Sequence, residues 1–376
     1  MIDPNATWRT SRLIAEPITP DHAEAMQSVL SDPALYEFTG GRPLSFDELA
    51  ERYERLARRR SPNGNEIWCN WALRLEASGM LVGALQVTLP SGGPGADVAH
   101  IAWEVGLSFQ RRGYASEAAT ALVSSLLEDD WCVVAEIHPR HVASQRVAER
   151  AGLVPTTRVV DGEVQWWRDP WNGREITDDI WTPWQPVDVA TRLAQVDVRW
   201  CVAAGWALDL FQGHQTRPHE DLEIAVPAGG FDQVRAALDE FEFEVVGAGH
   251  RWPIDSPALD VMTQTWMSDR ATGVFLLDIF REPHDGDTWI CRRDLRIRRP
   301  YADIINTTVD AIPYLAPEVA LLFKAKHSRD KDEADFRRVL PQLSEPRRAW
   351  LAEALARVHP DHRWLPDVVT DRGGAG

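Results

Sequence analysis

A chain of 376 residues, 44% hydrophobic and 26% charged, is too long for one ordinary core and has the composition of a folded two-domain protein. A formal net charge of −17 argues against a nucleic-acid binder that works by neutralising phosphates; it suits a small cationic substrate drawn in by long-range steering. No apolar run is long enough to span a bilayer and no basic-then-apolar leader opens the sequence, so a cytoplasmic protein without a membrane partner is expected. The four cysteines, Cys69, Cys132, Cys201 and Cys291, lack metal-ligand spacing and are expected as buried thiols. Seventeen tryptophans against five tyrosines are expected mainly as core and interdomain packing. Oligomeric state is not readable.

In the first half the pattern predicts a helix over 47–59, strands over 70–75, 81–88 and 99–107, a helix over 115–127, a strand over 132–137, a helix over 144–151 and a strand over 154–167. Hairpin-like neighbours followed by strand–helix–strand alternation indicate a mixed sheet with flanking helices. Proline, glycine and tryptophan crowd 168–186, which reads as a connection that packs down. Beyond it the pattern predicts a helix over 187–195, an acidic strand around 221–226, a helix over 231–241 and strands over 243–246 and 273–280. Helices over 316–328, 331–340 and 346–358 follow. The expected organisation is a domain over 1–183, a second over 187–366, and a disordered tail over 367–376. The fold class is α+β or α/β throughout.

The first informative stretch is Trp103-Glu104-Val105-Gly106-Leu107-Ser108-Phe109, running into Gln110-Arg111-Arg112-Gly113-Tyr114-Ala115. A strand ends, a basic glycine-containing turn follows, and a helix starts. Free N–H groups and the helix dipole at such a start attract a pyrophosphate. Arg111 and Arg112 add charge, and Gly113 lets the backbone close in. About twenty residues on, the strand Val133–Ile137 leads into His138-Pro139-Arg140-His141-Val142-Ala143-Ser144. Over roughly Ser11 to Trp167 this pairing resembles the GNAT N-acetyltransferase family, in the branch of ribosomal-protein and aminoglycoside 6′-N-acetyltransferases. The resemblance implies acetyl-CoA as cofactor, with Gln110, Arg111, Arg112, Gly113, Tyr114 and Ala115 forming the pyrophosphate loop. It places Ser144 beside the pantetheine arm. The family's Asn in that motif is His141 here, read as a solvated loop residue in preference to a replacement proton carrier. Glu104 stands where the family often keeps a direct or water-mediated base; recognition of substrate or a place at the packing edge is the other reading. The N–H near Leu107 is a candidate oxyanion donor, and the general acid stays open.

In the second half Asp221 and Glu223 lie two apart in an apolar run that reads as a strand. Residues i and i+2 share a face, and two carboxylates held that close repel. A divalent cation resolves the conflict, and Mg²⁺ favours carboxylates together with substrate phosphate oxygens. Upstream, Ala204-Gly205-Trp206 offers a backbone turn open to a triphosphate. From about Trp200 to Leu343 the chain resembles the small antibiotic nucleotidyltransferases that act on aminoglycosides and lincosamides. The resemblance implies Mg²⁺ on Asp221 and Glu223, a nucleoside triphosphate (ATP) near Gly205 and Trp206, and a third carboxylate. Asp278 is the candidate, as a further metal ligand or as acceptor of the attacking hydroxyl's proton, and Asp260 is its competitor. Glu223 departs from the family, where Asp is commoner. Asp209 is expected to order the turn or cap a helix. Lys324 is read either as a point charge on the triphosphate or as part of a solvated helix face on which Lys331 pairs with Asp335.

The expected function is therefore a bifunctional acetyl-CoA N-acetyltransferase and Mg²⁺-dependent nucleotidyltransferase acting on aminoglycoside-like molecules, of antibiotic-resistance type. The alternative is an acetyltransferase for a protein N-terminus or small amine. Its second domain would then use another hydroxyl substrate or sense a nucleotide.

Overall fold

The computed structural model describes residues 2–93, 98–177, 179–326 and 329–369. The chain divides into two compact units, Met1–Thr177 with Ala248–His250, and Asp178–Gly247 with Arg251–Gly376. Each is a mixed sheet flanked by helices.

The first unit's sheet runs in the order Trp8–Arg9, Leu13–Pro17, Glu66–Leu75, Leu81–Pro90, Ala99–Val105, Val133–Ile137, Glu163–Arg168, Val154–Val160. Alternation along the strands sorts residues between its faces. Trp71 and Leu73 join the core under the helix Tyr114–Glu128, with Ala118, Leu122 and Leu126. Ala72 and Ala84 join the other core, with Met26, Leu49 and Tyr53 from the helices Ala23–Val29 and Phe46–Leu56. Ser45 starts the second of these as a capping box: its hydroxyl accepts from Glu48 N, and the Glu48 carboxylate accepts from Ser45 N. The strand predicted over 154–167 is two strands. Asp161 and Gly162, at φ 50° and 86°, form the tight turn between them, the geometry an Asp-Gly pair favours in a hairpin.

The second unit's sheet runs Ile305–Thr307, Pro313–Leu315, Cys201–Val202, Glu223–Pro227, Phe275–Glu282, Gln264–Ser268, Glu242–Gly247. Ile224, Val226, Leu277 and Ile279 face a core shared with Phe231, Val234 and Leu238. Ala204–Gln212, Pro317–Lys324, Asp330–Val339 and Glu345–Val358 bury Ala207, Leu321, Phe336 and Leu355 in a second core. The tryptophan-rich connection packs onto this unit: Thr182 N and Trp184 N donate to the carbonyls of Phe275 and Leu276. Three expectations change. The acidic strand begins only at Glu223, so Asp221 precedes it. Asp260 lies in the short helix Ala258–Val261, off the sheet. Part of the expected disordered tail is the helix Leu365–Val369, anchored by buried Val368; residues 370–376 lie outside the described ones. All four cysteines are buried thiols, and among the described residues no helix is long and apolar enough to cross a membrane.

Candidate active sites

In the first unit, Ala99–Val105 and Val133–Ile137 pair in parallel at Ala99↔Val133 and His100↔Val134. Among the described residues that pairing goes no further, and the strands separate towards their carboxyl ends. Past this opening Gln110 Nε2 donates to Val105 O at 3.0 Å, folding the loop back on its strand. Arg111 and Gly113 take positive φ, 62° and 82°. They deliver the chain into Tyr114–Glu128, whose N-terminus has no side-chain cap, so its first N–H groups keep their donor capacity. Sequence reasoning missed what braces the loop. Arg12 donates through Nε to Glu117 at 2.6 Å and through Nη1 to Arg112 O at 2.9 Å, and its guanidinium lies over the Tyr114 ring. No local pattern marks a partner a hundred residues away.

Glu104 stands opposite Ala84, and burial raises its carboxyl pKa while Arg52 pulls the other way. Its charge is felt by Tyr36 and Tyr53; the Tyr53 hydroxyl is buried without a hydrogen-bond partner. Ser144 Oγ accepts from Trp103 Nε1 at 3.3 Å. His141 is not a solvated loop residue. Its ring stacks on Phe38 at 4.7 Å, and burial lowers its pKa, which favours the neutral imidazole.

In the second unit the strand register assembles the site. Glu223 stands opposite Asp278, and Asp278 opposite Trp266, in one row across three strands. Ala225, Phe280 and Gln264 form the next row on the same face. Asp278 N donates to Leu222 O at 2.9 Å, which fastens the segment carrying Asp221 to the neighbouring strand. Gln264 Nε2 donates to Asp278 Oδ2 at 2.7 Å, whereas Asp278 Oδ1 is buried without a partner. Burial, then the charge of Asp221, pushes Glu223 up to about 7. Burial, then Glu223, pushes Asp278 well above the carboxylate range.

Cations surround this face. The charges of Lys324, Lys331 and Arg292 act on Glu223, and Arg329 feels both Glu223 and Asp221. Lys324 is neither on a solvated face nor without a partner: its Nζ lies 2.9 Å from Asp332 and 3.0 Å from Asp335. Lys331 pairs with Glu220 at 3.4 Å, and buried Asp335 with Lys324, Arg217 and Arg338; the expected Lys331–Asp335 pair does not form. Arg292, unnoticed in the sequence, lies over the Phe280 and Phe323 rings and is ion-paired to Glu282.

Gly205 lies in the first turn of Ala204–Gln212, and a Cβ there would come within 2.5 Å of Arg217 and 2.7 Å of His219. The glycine admits those two side chains; the positive φ belongs to Ala204, at 47°. Trp206 stacks on His219 at 4.5 Å, and its buried Nε1 has no partner. Asp209 ties down the loop, accepting from His219 Nε2 at 2.7 Å and from Thr216 N at 3.1 Å.

Among the described residues no three His, Cys, Asp or Glu side chains form a ready-made metal cage. Mg²⁺ needs none, because it keeps waters and substrate phosphates and takes only one or two carboxylates. Mutually repelling carboxylates with one orphaned buried oxygen supply the hard donors that fit it.

Residues 12–154 match the family model of the acetyltransferase (GNAT) domain, and residues 187–256 match that of aminoglycoside-2''-adenylyltransferase. The chain thus carries a GNAT acetyltransferase domain followed by an aminoglycoside adenylyltransferase domain, both of enzyme families. The second match takes in Gly205, Asp221 and Glu223 and ends before Asp278. Similar solved structures include a GNAT-family acetyltransferase from Bacillus anthracis, 18% identical over 43% of this chain and 96% of its own, with a TM-score of 0.35. An acetyltransferase from Agrobacterium tumefaciens is 20% identical over 45% and 96%, with a TM-score of 0.35. The microcin C7 self immunity acetyltransferase MccE, in complex with acetyl-CoA and AMP, is 11% identical over 43% and 93%, with a TM-score of 0.36. No curated protein matches the chain.

Proposed function

We propose that the chain is a bifunctional enzyme of the antibiotic-resistance type, acetylating an amine with its first domain and nucleotidylating a hydroxyl with its second. The acceptors are aminoglycoside-like cationic molecules, which a net charge of −17 attracts. In the first domain the loop Gln110–Ala115 and the uncapped helix start hold the pyrophosphate of acetyl-CoA. Glu104, its pKa raised by burial, takes a proton from the substrate ammonium and frees the amine lone pair. The amine nitrogen then bonds to the acetyl carbon, the C–S bond breaks, and the second proton shed by the nitrogen passes to the departing sulfur, leaving the amide and the CoA thiol. The N–H near Leu107 is aimed at the carbonyl oxygen.

In the second domain Asp221 and Glu223 would hold Mg²⁺ on the triphosphate of ATP. The bound metal neutralises phosphate charge and favours in-line displacement. Lys324, Arg329 and Lys331 draw the phosphate tail, and Asp278 either shares the metal or accepts the hydroxyl proton. The observation that carries this reading is the Glu223–Asp278 pair, held face to face by register, raised by burial and by neighbouring carboxylate charge, and ringed by cations. Mass spectrometry of kanamycin and tobramycin, incubated with the protein and acetyl-CoA or Mg²⁺ and ATP, tests it. Acetyl and adenylyl additions are expected, each with its own cofactor. No addition in either incubation refutes the reading.

A further inference from the structure

We infer that Gln264 is a positioning residue for Asp278 in the second domain, a role that rests on the nucleotidyl-transfer reading and deepens it. Gln264 stands opposite Phe280 and Trp266 opposite Asp278, so Gln264 is the diagonal cross-strand neighbour of Asp278. That separation is within reach of a long side chain and out of reach of a short one. Gln264 Nε2 closes it with a 2.7 Å hydrogen bond to Asp278 Oδ2.

The consequence is an asymmetric carboxylate. Asp278 is 4% exposed, and the end torsion of an aspartate is soft and nearly two-fold, so an untethered carboxylate would interchange its oxygens. The glutamine amide removes most of that freedom: Oδ2 is tied at 2.7 Å, and Oδ1 is buried with no partner of good geometry, the Trp266 side chain adding only a weaker pull on the carboxyl group. On the other side the Trp266 ring is held edge-to-face by Trp181 and Phe275, each 5.1 Å away. An amide suits the position better than a cation. Lysine or arginine would bond the oxygen and also bring a full positive charge to it, whereas Gln264 directs the carboxyl group and adds no charge of its own. The glutamine therefore selects which oxygen is offered to the metal or to the attacking hydroxyl.

A merely structural glutamine would stabilise the fold and leave turnover alone. The full chain and the variants Gln264→Leu, Asp278→Asn and the double variant are compared for adenylyl transfer to kanamycin. AMP formation from ATP without kanamycin, with water as acceptor, is measured as well. Calorimetry with Mg²⁺ and the non-transferable analogue α,β-methylene-ATP checks nucleotide affinity. Gln264→Leu is expected to lower kcat on the order of tenfold while the KM for ATP and the analogue affinity change by less than about twofold. In the Asp278→Asn background it should lower kcat no further, since its effect passes through Asp278. Gln264→Asn, whose amide is too short to span the diagonal, should behave like the leucine variant. Unchanged kcat in Gln264→Leu overturns the inference, and so does an equal loss with and without Asp278. A parent that transfers to neither kanamycin nor water overturns the nucleotidyl reading itself, and an active parent with indifferent variants overturns only the role of Gln264.

Discussion

Replacing Glu223 with glutamine tests the carboxylate pair without any substrate. Burial and then the charge of Asp221 raise the Glu223 carboxyl from the ordinary 4.5 to about 7. Between those two values the folded protein keeps a proton that the unfolded chain has released. The metal-free fold therefore loses stability as pH rises through that window, and the loss is complete above the folded value. At about 1.4 kcal/mol per pH unit the full penalty is ~3 kcal/mol. Glu223 keeps some contact with solvent, and screening brings the figure to about 2 kcal/mol. Glutamine carries no charge to be penalised, and its presence also relieves Asp278, which Glu223 helps to raise. In a unit of this size Glu223→Gln should raise the Tm by about 5 °C at pH 8, with the gain shrinking to nothing near pH 4. Thermal melts of parent and variant across that range, in a chelator, read this directly. Adding Mg²⁺ and ATP should reverse the order, because a bound ligand stabilises only the protein able to hold it. A Tm gain of equal size at both ends of the pH range would refute the reasoning, as would a loss at pH 8.

Gly113→Val places a β-branched residue at φ 82°, a conformation it strongly disfavours; calorimetry should show acetyl-CoA binding lost while nucleotide binding persists. Glu104→Gln should lower acetyl transfer on the order of a hundredfold and leave acetyl-CoA affinity intact. In the parent that rate should climb with pH through the raised Glu104 value, and in the variant the climb should vanish. Gly205→Ala puts a methyl within 2.5 Å of Arg217, so thermal shift should show most of the stabilisation by Mg²⁺ and ATP lost.

What was legible in the sequence is what is local. The loop Gln110–Ala115 declares itself because a strand end, two arginines, a glycine and a helix start are contiguous. The Asp161-Gly162 turn was equally local, and was overlooked because apolar residues on both sides read as one long strand. The pairing of Glu223 with Asp278 was anticipated through resemblance, because nothing in two short runs some fifty residues apart sets their register. Gln264 carried no signal, since its importance lies in a diagonal that exists only once three strands are aligned. His141 looked exposed because the ring that covers it, Phe38, is a hundred residues earlier.

Lys331 and Asp335 show how a sound local rule can be overruled. Four residues apart on a helix, they satisfy the spacing for an ion pair. Yet Asp332 and Asp335 are both buried, at 1% and 3% exposure, so that face of Asp330–Val339 packs inward and meets Lys324 from the preceding helix. Two buried carboxylates then hold four cations: Lys324, Arg329, Arg217 and Arg338. Such pairs give little net stability, because desolvation consumes most of the attraction; what they secure is position. Two carboxylates cannot neutralise four cations, so positive charge is left over beside Asp221 and Glu223, whose fields reach Arg329 and, from Glu223, Lys324. The surplus cations and the crowded carboxylates thus balance one another only across space, and an anionic phosphate tail carrying a divalent cation supplies each with a direct partner.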